Sequence, residues 1–229
     1  MTRHALYPLL LATLAVAAAS LSSCSETDDT WDPYYNWQER NAEWYREITD
    51  SARTAIAEAQ AEYGSEWEDH CDWRRYKSLL KSQDYDSGLY TDSICVHILR
   101  RGTGTVSPVW TDTIRLSFRA WLMPSTYRVY NDDNQEVDSV MQEVFTQTYY
   151  GTYDEQTAAP QLMSMGSTIE GFSTALQYMV EGDDWNVYIP QELAYGSTSS
   201  DAVPAYSTLL FRLCLIAVYP TNSGVPDWK

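Results

Sequence analysis

Hydrophobic and polar positions along this chain change period several times, and each change marks an element. After an apolar run from Leu6 to Leu21, residues Trp37, Trp44, Ile48, Ala52, Ile56, Ala59 and Tyr63 recur at helical spacing. That spacing predicts a helix through "WDPYYNWQERNAEWYREITDSARTAIAEAQAEYG". Asp32 is placed to cap it, Pro33 suits its first position, and Gly64 suits its end. So aromatic a stripe must pack on something, either the domain that follows or a second copy of the chain. A second, shorter helix is expected over Trp67 to Leu80.

From Asp92 the period becomes two. "ICVHILRRGTG" places Ile94, Val96 and Ile98 on one face and ends in a glycine turn. Its "GTG" lacks the spacing and the following helix of a phosphate loop. "TDTIRLSFRAWL" sets Ile114, Leu116, Phe118 and Ala120 against Arg115, Ser117 and Arg119, a strand with one core face. Residues 124 to 160 lose this regularity and read as an elaborated loop or flap, with "VMQEVF" as a short strand inside it. "STIEGFSTALQYMVEGD" then predicts a short helix with Ser167 and Glu170 at capping-box spacing. Phe172, Leu176 and Met179 form its apolar face, and Gly182 is placed to stop it. "DWNVYIP" alternates through Trp185, Val187 and Ile189, while "STLLFRLCLIAVY" is apolar on both faces apart from Arg212, as a central strand requires. Between those two strands, Gln191 to Ser207 is far longer than a hairpin turn, and long ordered loops are usually functional. Several strands around one helix, without regular strand–helix alternation, define an α+β class.

The amino terminus changes the picture by adding an address. Arg3, the apolar run and "LSSC" follow the order of a secretory signal, and Cys24 after Leu21 and two serines resembles a lipoprotein lipidation site. A spanning helix needs about 20 apolar residues, and this shorter run carries Pro8 and Ser20. The expected organisation is a signal peptide over 1–23, a lipidated acidic tether over 24–31, a helical extension over 32–84, and a folded domain over 85–229. Net charge is −17, or −18 once residues 1–23 are removed, and no basic stripe offsets it. Such a chain repels phosphate backbones, which argues against nucleic acid as a partner. Cys71, Cys95 and Cys214 form no C-x-x-C, and His4, His70 and His97 have no metal-ligand spacing, so no metal is expected. Buried thiols are the simple reading of those cysteines, although an oxidising envelope permits a disulfide.

The order of parts in the carboxy-terminal half resembles the FKBP family, the macrolide-binding peptidyl-prolyl isomerases. The matching text is "EGFSTALQYMVEGD", "VYIPQELAYG" and "AVPAYSTLLF", several motifs in the right order over roughly residues 92 to 219. The resemblance implies a curved antiparallel sheet wrapped around one short helix, here with an amino-terminal helical extension. It also implies positions for a site. Phe118 stands for the family's pocket tyrosine, Phe145 for the phenylalanine of its "FDSS", and Phe172 for the pocket-floor tryptophan. Thr168 and Ile169 take the place of the Val-Ile pair whose backbone N–H meets a ligand carbonyl. Tyr195 matches the loop tyrosine that donates to a bound carbonyl, Val203 the loop aliphatic wall, and Phe211 the last-strand phenylalanine. Three departures stand out: Thr146 replaces the family's pocket acid, Gln161 falls where another ring would lie, and the loop after Gly196 is shorter and lacks a histidine.

What the resemblance implies is an isomerase without cofactor, with Tyr195, Phe172, Phe145 and Phe211 at the rotating bond. Phe118, Thr168, Ile169, Val203 and Thr146 would contact the rest of the substrate. Proline-containing polypeptides and macrolides are the implied ligands, the bilayer is a partner through Cys24, and a homodimer through the amino-terminal helix is open. An outer-membrane location facing periplasm or surface follows from the same reading. Two other functions compete: a catalytically weak peptide-binding or chaperone module on the same fold, and a surface glycan-binding lipoprotein, suggested by nine Trp and eighteen Tyr.

Overall fold

Alternation of apolar and polar residues becomes a ladder of antiparallel strands in the structure, a computed structural model that describes residues 32–83 and 88–228. Three of its strands carry the centre. β3 (Thr113–Trp121) pairs with β9 (Leu209–Tyr219) over nearly its whole length, and β9 pairs on its other side with β8 (Asp184–Ile189). β2 (Ser93–Arg100) joins β8, and β1 (Trp73–Lys77) closes that edge. β6 (Val144–Gln147) and β7 (Gln161–Ser164) share the far side of β3, one at each end, giving the order β1-β2-β8-β9-β3-β6 with β7 also on β3. Register shifts interrupt the β2–β8, β3–β6 and β3–β9 pairings. Such irregularities bend a strand and increase its twist, which lets a sheet curve around a helix.

That helix is the one formed by Glu170–Tyr178, and it supplies Phe172, Ala175 and Leu176 to the main core. Ile94, Val96, Ile114, Leu116, Val187, Ile189, Leu213 and Leu215 face it from the sheet. Gly171 sits where the helix backbone comes closest. A Cβ there would fall 3.2 Å from Ile94 Cγ2 and 3.3 Å from Ile189 Cβ, and closer still to Ile189 Cγ2. The expected capping box is absent. Ser167 belongs to a 3-10 turn, Met165–Ser167, and donates to Ser164 O at 2.9 Å, while Glu170 accepts a hydrogen bond from Ser78. The helix also ends at Tyr178, four residues short of Gly182, which at φ 93° turns the chain into β8.

The amino-terminal helix, α1, runs over Trp37–Tyr63 and ends at Gly64. It packs on its own sheet: Tyr45 and Ala52 meet Cys95 of β2, with Ile48, Trp73, Tyr90 and Tyr188 around them. Its buried face is rotated from the one the apolar residues suggested. Asn41 and Thr49 are buried, Trp44 is half-buried and Tyr63 is exposed. The physical reason is hydrogen bonding across the interface. Asn41 Oδ1 accepts from the Thr208 amide at 2.8 Å, and Tyr45 donates to Ser93 O at 2.5 Å. Burial pushes the Tyr45 hydroxyl well above its ordinary pKa. The start is shifted as well. Pro33 to Asn36 form a separate turn fixed by Arg40, which donates to Pro33 O at 2.9 Å, so Asp32 is not the cap.

Two further expectations are corrected. The helix expected over Trp67 to Leu80 stops at His70 as the four-residue α2 (Trp67–His70), because the next residues are taken up by the sheet as β1. The helix at Glu170–Tyr178 is therefore α3. The segment read as an irregular flap contains a two-stranded hairpin, β4 (Ser125–Tyr130) and β5 (Glu136–Met141), besides β6 and β7. Its turn is closed locally: Asn131 Oδ1 accepts from the amides of Asp133 and Gln135, and Asn134 takes φ 58°. "VMQEVF" straddles the break between β5 and β6. The expected signal peptide over 1–23 and the expected lipidation site, Cys24, lie outside the described residues. Cys71, Cys95 and Cys214 are each buried as free thiols.

Candidate active site

The core face of the sheet is left open at one end, where β3, β6, β7 and β9 meet the start of α3. A cavity of about 370 Å³ opens there, lined by Phe118, Phe145, Thr146, Met163, Ser167, Thr168, Ile169, Phe172, Tyr195 and Phe211. Four phenylalanines form its floor and walls in a chain of edge-to-face contacts. Phe172 meets Phe118 with centroids 6.3 Å apart and Phe211 at 5.1 Å, and Phe211 meets Phe145 at 5.6 Å. Perpendicular rings present hydrogen-bearing edges to π faces, an arrangement favoured over face-to-face stacking. Each ring comes from a different element, so only the assembled sheet and helix bring them together.

Backbone bonds fix these rings. Phe118 is held on both sides by Thr148, whose Oγ1 accepts the Phe118 amide at 2.9 Å while the Thr148 amide donates to Phe118 O at 2.8 Å. Thr168 donates from Oγ1 to Met165 O at 2.9 Å, which orients the residue just before Ile169. Ile169 is extended, at φ −65° and ψ 154°, and its amide donates to no carbonyl among the described residues. It is half-buried at the cavity edge, a donor without an acceptor.

The long loop between β8 and β9 folds on itself. The Tyr206 amide donates to Gly196 O at 2.7 Å, Thr198 to Tyr195 O at 3.1 Å, and Ser200 to Val203 O at 2.9 Å. Tyr206 and Gly196 adopt positive φ, 62° and 58°, to allow the first of these closures. The result presents Tyr195, 46% exposed, at the cavity mouth. Val203 goes elsewhere. It is 4% exposed, packs in the main core, and does not line the cavity, so it seats the loop where the sequence had it as a wall.

Every other expected residue lines the cavity: Tyr195, Phe172, Phe145, Phe211, Phe118, Thr168, Ile169 and Thr146. Met163 and Ser167 were missed. They lie in β7 and the turn after it, just past the stretch that lost its alternation. Gln161, at the other end of β7, is exposed. No carboxylate, imidazole, amine or guanidinium lines the cavity. Thr146, an exposed residue opposite Ala120, stands where a carboxylate would have brought charge. Among the described residues no group of three His, Cys, Asp or Glu side chains could hold a metal.

The opposite face of the same strands is polar. Arg212 makes a two-point contact with Asp184, Nε–Oδ1 2.9 Å and Nη2–Oδ2 2.7 Å. Beside this pair, burial pushes the Cys214 thiol upward, and burial raises the Tyr149 hydroxyl to about 12. Strands β3 and β9 therefore send phenylalanines into the cavity and charge to the other side.

A curved antiparallel sheet, one short helix laid across it and an aromatic cavity at the helix start define an FKBP-type domain. Residues 104–216, just under half of the chain, match the family described as FKBP-type peptidyl-prolyl cis-trans isomerase. Similar curated proteins include a macrophage infectivity potentiator of Trypanosoma cruzi, 39% identical over 28% of this chain and 34% of its own length. The outer membrane protein MIP of Legionella longbeachae is 29% identical over 53% of this chain and 42% of its own. The FKBP-type 22 kDa isomerase of Escherichia coli is 27% identical over 53% of this chain and 48% of its own. The chain thus matches a third to a half of the length of these relatives. Among solved structures, FkpA of Escherichia coli aligns at a TM-score of 0.41 and 20% identity, covering 93% of this chain and 82% of that one. An isomerase of Pseudomonas syringae pv. tomato aligns at 0.42 and 22%, covering 76% and 95%.

Proposed function

We propose that the chain is a peptidyl-prolyl cis-trans isomerase that acts on proline-containing polypeptides in the cell envelope, held to a bilayer through Cys24. The observation that supports it is the uncharged aromatic cavity with two donors at its mouth, the Tyr195 hydroxyl and the Ile169 amide. Rotation about a peptide bond faces a barrier of about 18–20 kcal/mol, set by amide resonance. In the twisted transition state that resonance is lost and the carbonyl and nitrogen become less polar. A dry slot of rings therefore favours the twisted form over the planar one, and each 1.4 kcal/mol of such preference is about a tenfold rate gain. The proline ring rests on Phe172 between Phe145 and Phe211. Tyr195 and the Ile169 amide hold carbonyls on either side, while Phe118, Thr168 and Thr146 border the flanking residues. Nothing in this scheme needs a nucleophile, a metal or a proton relay, and macrolides would enter the same cavity.

The envelope setting draws on the lipidation pattern at Cys24 and on the outer-membrane wording in one relative's name. A homodimer through α1 would have to use the helix's outer face, which carries Glu39, Glu43, Arg46, Glu47 and Asp50. Thr146 favours a second reading, a module that binds proline-containing segments but turns them over weakly. A cis-trans assay on an Xaa-Pro peptide, run with the mature chain, separates the two. Acceleration above the uncatalysed rate supports the isomerase; peptide binding without acceleration rejects it in favour of the module.

A further inference from the structure

The first residues of the α1 segment reach both sides of the cavity. Tyr34, in the turn ahead of the helix, and Trp37, its first residue, meet edge-to-face with ring centroids 5.0 Å apart. The Tyr34 hydroxyl donates to Glu143 Oε2 at 2.9 Å, and Tyr127 donates to the same oxygen at 3.3 Å. Glu143 immediately precedes β6, the strand that carries Phe145 and Thr146 into the cavity. Trp37 Nε1 donates to Ser207 Oγ at 2.9 Å in a buried contact, and Ser207 donates onward to Pro204 O at 2.7 Å. Ser207 ends the loop that presents Tyr195. Neighbouring bonds repeat the pattern on each side. Arg40 Nη2 donates to Ser125 Oγ at 2.7 Å, at the base of β4, and Asn41 accepts from the Thr208 amide.

We propose that the Tyr34–Trp37 ring pair is a positioning clasp that sets the separation between the Phe145–Thr146 wall and the Tyr195 loop. The proposal rests on the isomerase reading above and extends it to residues that touch no substrate. Its physical basis is the poverty of other connections. β6 pairs with β3 over few residues, the hairpin before it forms its own two-stranded sheet, and the loop after β8 closes mainly on itself. No ladder bond runs from Phe145 or Thr146 to the Tyr195 loop. Two stiff rings in contact, each bonded to one wall, carry a displacement of one side to the other. The amino-terminal helix then belongs to the working unit of the cavity and is not a separable extension.

Tyr34→Phe and Trp37→Phe each delete one donor and keep a ring in place. Amide hydrogen exchange over 143–147 and 194–208, with kcat and KM for an Xaa-Pro peptide, reads the consequence in the mature chain. Loss of one net hydrogen bond predicts exchange about three- to tenfold faster in the wall whose bond is cut. A smaller rise is expected in the other wall, with kcat reduced and KM little changed. Ser207→Ala, which removes the acceptor from the opposite side, reproduces the Trp37→Phe pattern if indole packing is not the cause. Unchanged exchange in both walls overturns the clasp, as does a uniform rise through β2, β8 and β9, which signals lost stability alone. A wild-type chain without isomerase activity sinks the functional reading, and the exchange data still decide on the clasp.

Discussion

Replacing Gly171 by alanine sets two effects of known size against each other. Alanine in place of glycine inside a helix gains about 0.5–1 kcal/mol of propensity, and less in a first turn, where Gly171 lies. The new methyl, however, would sit 3.2 Å from Ile94 Cγ2 and 3.3 Å from Ile189 Cβ, with Ile189 Cγ2 closer than contact allows. Both isoleucines are 0% exposed and lie on paired strands, so neither side chain can swing into solvent. Inserting a methyl into a packed core typically costs about 1–3 kcal/mol. Packing therefore wins, and Gly171→Ala should lower stability by about 1–2 kcal/mol. Urea titration followed by tryptophan fluorescence would show a lower midpoint with an unchanged slope. Moving α3 off the sheet also shifts Ile169 and Phe172, so peptide affinity should fall more than the stability loss alone explains. In an Ile189→Ala background the obstructing Cγ2 is gone, and the same substitution should become neutral or stabilising. A single variant more stable than the parent refutes the close-approach argument, because propensity would then be the whole effect.

Tyr195→Phe should weaken peptide or macrolide binding by about 0.5–1.5 kcal/mol and leave the unfolding midpoint in place. Unchanged binding, measured by calorimetry, would show that the hydroxyl does not hold a carbonyl. Asp184→Asn leaves the half-buried Arg212 without its charge partner and should cost about 2–4 kcal/mol in denaturant titration, with the cavity rings still in place. Because no carboxylate, imidazole or amine lines the cavity, kcat/KM should stay flat from about pH 5 to 8; a bell-shaped profile would place a titrating group in the reaction. Alkaline stability carries a definite sign. Burial raises the Tyr76 and Tyr149 hydroxyls to about 12, so the unfolded chain loses protons first as pH passes the ordinary value of 10.0. Their contribution is intact below pH 10.0 and disappears as pH rises through about 12, which a urea midpoint measured against pH would record. A midpoint constant across that window would contradict it.

The parts read correctly from the chain are those in which one element settles its own pattern. β3 and β8 alternate because one face of each meets the core, β2 keeps its apolar alternation through Ile94, Val96 and Ile98, and β9 is apolar on both faces apart from Arg212; these patterns survive without knowledge of partners. Most cavity residues were legible for a different reason, the ordered motifs around "AYG" and "EGF". Errors fall where a residue's partner is distant in sequence. Asn41 and Thr49 look like surface positions until Thr208 and Cys95 are brought against them. β1 has no apolar alternation and becomes a strand only through β2. Val203 was read as a cavity wall from its place in the loop, and the direction in which that loop folds turned it into the core.

Taken alone, then, the amino-acid sequence determined the α+β class and the positions of the four main strands. These follow from side-chain type and local spacing, which need no third dimension. Tertiary structure decided which face of α1 is buried, how the loop after β8 closes, and that Tyr34 and Trp37 grip opposite sides of the cavity. Those outcomes depend on hydrogen bonds between residues more than a hundred positions apart, from Tyr34 to Glu143 and from Trp37 to Ser207. Partners so distant leave no periodic trace in a chain, and only folding selects them.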